Sequence, residues 1–229
     1  MRDEDIDDIL RKLADDAPSI EPALLDRIWQ SVGSGLQRAP SIPPSWILVT
    51  GLMLLCALIG GSGGILLGAH GVHSMTSLQV GVILVVLGFW MWAAASQCVV
   101  ESIPGSRRFA SPVTLALCCS VTLTALFAIL FREYTADRFV AQGVKCVAAG
   151  LGIAIPAALG IWLILSRGFP TNLAASGFAR GMLAGLAGIT MLELHCPNLE
   201  VPHLLVWHIG VLPLSGLAGV LASRAMLKI

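Results

Sequence analysis

The stretch WILVTGLMLLCALIGGSGGILLGA, Trp46–Ala69, decides the fold class of this chain because it contains no Asp, Glu, Lys or Arg. A helix needs about 20 apolar residues to cross the hydrocarbon core of a bilayer, so the stretch predicts a membrane-spanning helix. Five further windows predict spans, and the fifth span is the weakest because Arg180 and Glu193 bracket a short apolar run. These windows are Leu78–Val100, Pro112–Phe131, Val144–Ser166, Phe178–Leu194 and Leu204–Leu227. We therefore expect an all-α fold, a six-transmembrane-helix bundle preceded by a short cytosolic amphipathic helical hairpin.

The composition of the 229 residues agrees with this expectation. Hydrophobic residues make up 56% and charged residues 12% of the chain, and the mean hydropathy is +0.83. A soluble domain carries about 25% charged residues, so the composition excludes an ordinary soluble enzyme and a disordered protein. Six cysteines are too few for a disulfide-rich secreted module. The acidic N-terminus is also unlike a secretory signal peptide, which begins with basic residues.

The charge divides the chain into two predicted domains. Residues 1–45 form an acidic helical segment, and residues 46–229, with an excess of basic residues, form the membrane domain. Direct binding to a nucleic acid is not expected, because phosphate contacts need a basic surface outside the membrane. Small residues repeat every four positions along the spans and predict close helix packing. The repeats are Gly60, Gly64 and Gly68, then Gly181 and Gly185, then Ser215 and Gly219.

Basic residues near the ends of the spans predict the orientation in the membrane, because Lys and Arg accumulate on the cytoplasmic side. One side collects Arg38, Arg107, Arg108, Arg167, Arg180, Arg224 and Lys228, whereas the other side collects Arg132, Arg138 and Lys145. Both termini are therefore expected in the cytoplasm. The connections 70–77, 132–143 and 195–203 are expected to face outward.

The N-terminal segment contains two short amphipathic patterns. Apolar residues recur at helical spacing in both, at Ile6, Ile9, Leu10 and Leu13 and again at Leu25, Ile28 and Trp29. Forty-five residues are too few to bury both apolar faces in a core of their own. The segment can lie on the membrane, pack on the bundle or bind a partner. Its acidic face disfavours an anionic lipid surface and favours a basic protein partner with apolar grooves.

A cluster of cysteine and histidine residues is expected at the outward face. Cys146 is predicted to open the fourth span and Cys196 to close the fifth, and thiolate and imidazole are natural ligands for zinc and copper. Two outward thiols can instead form a disulfide. The candidate metal ligands are Cys146, Cys196, Glu193, His195, His203 and His208. The alternative is interfacial histidines and buried thiols without chemistry, and that interpretation is preferred for Cys56, Cys98, Cys118 and Cys119.

This pattern resembles the NrsF family of bacterial inner-membrane anti-sigma factors. The resemblance is carried by GMLAGLAG at Gly181–Gly188, by LHCP at Leu194–Pro197 and by VWH at Val206–His208. Cys146 stands where that family pattern expects a second thiol. The resemblance implies a protein without enzymatic activity that lies in the bacterial inner membrane, in contact with lipid, and holds an extracytoplasmic-function sigma factor.

The resemblance also implies roles for individual residues. Cys146 and Cys196 are the expected sensor of a metal or redox stress that releases the sigma factor. Asp7 and Asp8 are expected to steer a basic sigma factor toward the segment. The expected apolar anchors for the sigma factor are Ile6, Ile9, Leu10, Leu13, Leu25, Ile28 and Trp29.

Two other functions would make different demands on the spans. A small inner-membrane transporter for a metal or another solute needs polar groups along a path through the spans, and the middles of these spans carry almost no charge. A haem or redox enzyme needs histidines deep in facing helices, whereas these histidines are predicted at one rim.

Overall fold

The structure is a computed structural model that describes residues 7–8, 11–12, 22–35, 43–106, 110–135, 139–166, 168 and 170–226. The chain divides into two compact units, Met1–Ser41 and Ile42–Ile229. In the first unit, helix α1 runs over Pro22–Gly35. Asp7 and Asp8 are helical and exposed. The predicted hairpin as a whole is not shown, because Ile6, Ile9, Leu10 and Leu13 lie outside the described residues.

The second unit contains six helices that are long and apolar enough to cross a membrane. The described part of the chain is helical and contains no strand. The all-α fold is therefore confirmed, together with six helices of the length and hydropathy that the predicted spans require. The helices are α2 Ser45–Leu66, the short α3 His70–Ser74, α4 Ser77–Ser102, α5 Pro112–Leu130, α6 Phe139–Leu165 and α7 Leu173–His195. The sixth span consists of α8 Val201–His203, a π-helical turn Leu204–His208 and α9 Ile209–Met226.

Polar residues between the spans start the helices. Thr76 and Gln79 form a reciprocal capping box at α4. The hydroxyl oxygen of Thr76 accepts from the backbone amide of Gln79, and Oε1 of Gln79 accepts from the backbone amide of Thr76. Ser111 and Asn172 accept hydrogen bonds from the first backbone amides of α5 and α7. The predicted start of the fourth span at Val144 is wrong, because α6 begins at Phe139. Cys146 therefore lies about two turns inside α6 rather than at its first turn.

Helix α7 is the centre of the bundle. In its most apolar 18-residue window, 83% of the residues are buried, compared with 22% to 39% in the other five spans. The same helix has the lowest mean hydropathy of the six, 1.2. Other helices surround α7, so its low hydropathy is that of a helix packed on all sides.

Small residues allow the neighbouring helices to approach α7 closely, as the repeats predicted. A Cβ atom added at Gly60 would lie 2.6 Å from the carbonyl oxygen of Ala187. On the opposite side of α7, Gly181 and Gly185 pack directly against Ser215 of α9. Gly68 does not belong to the helical repeat, because α2 ends before it and its φ angle is +112°. Such an angle is favourable only for glycine.

Buried polar groups join α4 to α7 at the end of the bundle where α4 finishes and α7 starts, which we name the arginine end. The Nη2 atom of Arg180 donates to Oγ of Ser102 over 3.3 Å, and this hydroxyl donates to the carbonyl of Cys98. Nearby, Gln97 donates to Glu101 over 2.9 Å and to the carbonyl of Ala110 over 3.2 Å. These bonds satisfy polar groups that would otherwise be costly to bury.

Candidate functional site

Four metal-ligating side chains meet at the other end of the bundle, which we name the cysteine end. Helices α2, α5 and α7 finish at this end, and α4, α6 and α8 start there. The two thiols and one ring nitrogen of each histidine lie within 4.8 Å of one another. The four residues, named the Cys/His cluster below, are Cys146, Cys196, His203 and His208.

The sulfur atoms are the best-defined part of the Cys/His cluster. The Sγ atoms of Cys146 and Cys196 are 3.6 Å apart, and Sγ of Cys196 lies 3.7 Å from Nε2 of His203. Both histidines of the cluster are completely buried, Cys196 is buried and Cys146 is half-buried. The half-buried thiol of Cys146 is therefore the most accessible group of the cluster.

Glu193 orients one of the two histidines. Its Oε1 atom accepts a hydrogen bond from Nδ1 of His208 over 2.7 Å, and both side chains are almost completely buried. The other ring nitrogen, Nε2 of His208, has no hydrogen-bond partner among the described residues. A histidine held by a carboxylate through one nitrogen and free at the other has the arrangement that metal-binding histidines usually show.

The π-helical turn places both histidines on one side of the sixth span. His203 and His208 are five positions apart, and their ring centroids are 5.3 Å apart in an edge-on arrangement. Five residues correspond to about 1.4 turns of an α-helix, which would direct the two side chains apart, whereas a π-helical turn bonds residues i and i+5. The turn over Leu204–His208 is therefore the local reason why two histidines reach one cluster.

The connection between α7 and α8 is fixed by its own hydrogen bonds. Asn198 donates to Oε1 of Gln142 over 2.8 Å and accepts from the backbone of Glu200 over 2.9 Å. Glu200 in turn accepts from Thr135 over 2.9 Å. Because Gln142 lies one turn before Cys146 on α6, the bond from Asn198 holds the connection beside the first thiol.

Close packing of two glycines completes the site. A Cβ atom at Gly71 would lie 2.5 Å from the carbonyl of Glu193 and 2.8 Å from that of Cys196, so α3 covers the end of α7 only because residue 71 has no side chain. Gly143 of α6 leaves room for the ring of Trp207, which a Cβ atom at residue 143 would overlap. The first contact joins two backbones and the second packs an aromatic ring against α6, and both lie near the Cys/His cluster.

The surroundings of Cys196 favour its protonated form. The hydrogen bond with Cys146 and then burial raise the pKa of the Cys196 thiol above its ordinary value, and the neighbouring His203 and His208 only partly oppose this shift. A neutral thiol is the less nucleophilic form of cysteine. A base, a metal ion or a higher pH is therefore needed to make Cys196 reactive.

Of the six candidate ligands from the sequence, the structure brings four together and places Glu193 directly behind them. His195 lies outside the cluster, because its ring stacks edge-on with His70 at a centroid distance of 5.9 Å. The four remaining cysteines are outside it as well: Cys56, Cys98 and Cys119 are buried, and Cys118 is exposed.

The described residues of the N-terminal segment show an uncovered apolar face. Leu25, Ile28 and Trp29 of α1 are all exposed, with Trp29 at 70%. Asp7 and Asp8 are exposed too. The structure gives no partner for these side chains, and their assignment to a sigma factor stays a prediction.

Sequence reasoning missed the residues that assemble the cluster, namely Gly71, Gln142, Asn198 and Trp207. Their roles depend on contacts between distant parts of the chain, and no local pattern indicates them. One signal was available for the π-helical turn. The five-residue spacing of His203 and His208 does not suit one face of an α-helix, but it suits a π-helical turn.

Six helices that are long and apolar enough to cross a membrane, with a cluster of two thiols and two imidazoles at one end, are typical of a membrane protein with a candidate metal site. A family model described as NrsF, negative regulator of sigma F, matches residues 41–228. The chain therefore belongs to the NrsF family. The family description is that of a regulator rather than an enzyme, and it names a sigma factor as the regulated protein. The match begins after most of the N-terminal segment. Comparisons with curated proteins and with solved structures gave no match.

Proposed function

We propose that this protein is a membrane-bound anti-sigma factor of the bacterial inner membrane with both termini in the cytoplasm. Its N-terminal segment sequesters an extracytoplasmic-function sigma factor. The cysteine end faces outward and releases the sigma factor when Cys146 and Cys196 sense metal or redox stress. The observation that carries this proposal is the pair of thiols 3.6 Å apart in a chain whose family regulates a sigma factor.

The N-terminal segment has the surface that such a partner requires. Leu25, Ile28 and Trp29 share one face of α1 at helical spacing and are exposed, and an exposed apolar stripe on a helix suits docking into a groove of another protein. The exposed carboxylates of Asp7 and Asp8 provide the charge that steers a basic partner toward this stripe. Apolar contacts would supply affinity, and the acidic residues would supply association rate.

The central helix offers a physical route between the two ends of the bundle. Cys196 caps the last turn of α7, and Arg180 near the first turns of the same helix bonds to Ser102 of α4. A metal ion or a disulfide at Cys196 would change the contacts at the end of α7. Every other span surrounds this helix. Packed helices shift between discrete arrangements rather than deforming continuously, so such a change at α7 can be transmitted to the arginine end.

Capture of the sigma factor is tested on the full-length protein purified in detergent. The Trp29→Ala variant should lose most of its binding to a bacterial sigma factor in a pull-down, because buried aromatic anchors dominate interface energies. Trp46→Ala is the matched control, since Trp46 is the same residue type with 69% exposure and lies at the start of the membrane domain. Equal capture by both variants contradicts the proposed role of α1.

Release of the sigma factor is tested with a reporter gene that depends on it. Replacement of Cys196 by Ser should abolish induction by a metal or an oxidant and leave repression intact. Cys119→Ser is the control, because Cys119 is also buried but lies outside the Cys/His cluster. Normal induction in the Cys196→Ser strain would exclude this thiol as the sensor.

The transporter alternative is not favoured by the described residues. Their buried polar side chains lie mainly at the two ends of the bundle, as Gln97 and Glu101 do at one end and Glu193 at the other. Nearer the middle, Thr190 and Ser215 donate to carbonyls of their own helices. A continuous polar path, which a solute would need, is not formed by these groups. Flux of a metal into vesicles containing the purified protein would nevertheless support the alternative.

A further inference from the structure

We propose that Cys146, Cys196, His203 and His208 form a tetrahedral site for a transition-metal cation with a filled d shell, represented by Zn²⁺. The inference deepens the sensor role proposed above and rests on it for its biological meaning. Its physical content is independent, because metal binding can be measured without a sigma factor.

Two distances between ligand atoms are close to those that such a cation requires, and all four ligand atoms lie within 4.8 Å of one another. Bonds of about 2.3 Å to sulfur and about 2.0 Å to nitrogen place two sulfurs about 3.8 Å apart in a tetrahedron, and sulfur and nitrogen about 3.5 Å apart. The observed separations are 3.6 Å between the two sulfurs and 3.7 Å between Cys196 and His203. A disulfide has a sulfur–sulfur bond of about 2.0 Å, so the thiols fit a shared metal with less movement.

The arrangement of His208 indicates that its Nε2 atom binds a metal ion. Its side chain is completely buried, Nδ1 is occupied by Glu193, and Nε2 has no hydrogen-bond partner among the described residues. Leaving a buried polar atom unsatisfied is unfavourable. A metal bond to Nε2 removes that cost, and the carboxylate behind the ring fixes the tautomer that such a bond requires.

The charges of the site also suit a divalent ion. Binding replaces the protons of the Cys146 and Cys196 thiols by two metal–sulfur bonds, and both protons pass to solvent. The two thiolates then balance the charge of the cation, which lowers the cost of burying it, and the Glu193 carboxylate keeps its hydrogen bond from Nδ1 of His208. His203 and His208 bind as neutral imidazoles. No electron transfer is involved.

The donor set selects among metals. Two sulfur and two nitrogen ligands in tetrahedral geometry are typical of zinc, and the thiolates extend the range to softer ions of the same electron count. Calcium and magnesium ions are not expected to bind at this site, since they prefer oxygen donors. All four protein ligands are present, which is the pattern of a closed zinc site rather than one with an open position for catalysis.

The test is a titration of the reduced full-length protein in detergent with Co²⁺, followed by displacement with Zn²⁺. One Co²⁺ per chain should bind and give the intense visible absorption of a tetrahedral ion with thiolate-to-metal charge transfer, and Zn²⁺ should abolish both. Cys146→Ser and His208→Gln should remove the tetrahedral spectrum. Glu193→Gln should weaken binding about 10- to 100-fold with an unchanged spectrum, as expected for a residue that positions a ligand.

His195→Gln is the matched control, because His195 lies at the same end of the bundle but contacts His70 instead. Circular dichroism of each variant shows whether the helices are retained. The proposal is overturned by a wild-type protein that binds no Co²⁺ after reduction, or by a tetrahedral spectrum that survives His203→Gln and His208→Gln. Loss of sigma capture in Trp29→Ala, measured separately, decides the anti-sigma proposal whichever result the titration gives.

Discussion

The sulfur atoms of Cys146 and Cys196 are 3.6 Å apart although 50 positions separate the two residues in the chain. This distance is that of a thiol–thiol hydrogen bond, and a disulfide between the two residues needs an approach of about 1.6 Å. In chelator-treated protein, the oxidant diamide should therefore form an intrachain 146–196 disulfide, with two thiols oxidised and one diamide reduced to the hydrazine. Peptide mass spectrometry identifies the linked residues.

Added zinc tests whether the two thiols that form the disulfide also bind a metal ion. If both sulfurs are metal ligands, prior addition of Zn²⁺ should slow disulfide formation strongly, because bound thiolates are withheld from the oxidant. Cys118, which lies outside the Cys/His cluster, should react with a maleimide to the same extent with and without Zn²⁺. Unchanged disulfide formation at saturating Zn²⁺ contradicts the assignment of both sulfurs to one metal.

Neighbouring glycines on α2 provide a test of the central packing. A Cβ atom at Gly60 overlaps the backbone of Ala187, whereas at Gly61 no atom lies within 4 Å. Gly60→Ala should destabilise the bundle by about 1–3 kcal/mol through overpacking. Gly61→Ala should be neutral or stabilise it by about 0.5 kcal/mol. Thermal unfolding in detergent measures both, and equal midpoints would show that α2 does not pack on α7 at this position.

The connection after α7 is expected to position the second thiol. Asn198→Ala removes the bonds to Gln142 and Glu200, so Cys196 should be held less firmly beside Cys146 and the diamide reaction should slow several-fold. Asn172→Ala is a control at the arginine end, where that asparagine caps α7. A rate as fast as that of the unmodified protein would show that other contacts hold the connection.

The pH dependence of alkylation reports the state of Cys196. Its pKa is raised above the ordinary value by the hydrogen bond with Cys146 and by burial, and only the thiolate reacts. In reduced, chelator-treated protein, maleimide labelling of Cys196 should be slow at pH 7 and should still rise with pH beyond about pH 8.5, the region where an ordinary thiol levels off. A plateau below pH 8 would contradict the raised pKa. Quantitative mass spectrometry of the labelled peptide gives the rates.

The positions of the spans follow from the sequence with small errors, because the apolar length needed to cross a bilayer is a property of consecutive residues. The start of α6 was misplaced because Gln142 and Gly143 interrupt the apolar run before Val144, whereas the helix continues through both residues. The low hydropathy of α7 did not predict its central position, which the structure shows. A helix surrounded by other helices has no need of a strongly apolar surface.

The sequence by itself determined the all-α class, the six spans and the level in the bundle at which the thiols and histidines lie, because hydropathy and chain order are local properties. Only the tertiary structure decided which of these groups meet. It joined Cys146 of α6 to Cys196 at the end of α7, brought His208 into the cluster through a π-helical turn, and left His195 outside. The physical reason is that these contacts depend on the rotation of each helix about its axis, which packing against neighbouring helices sets.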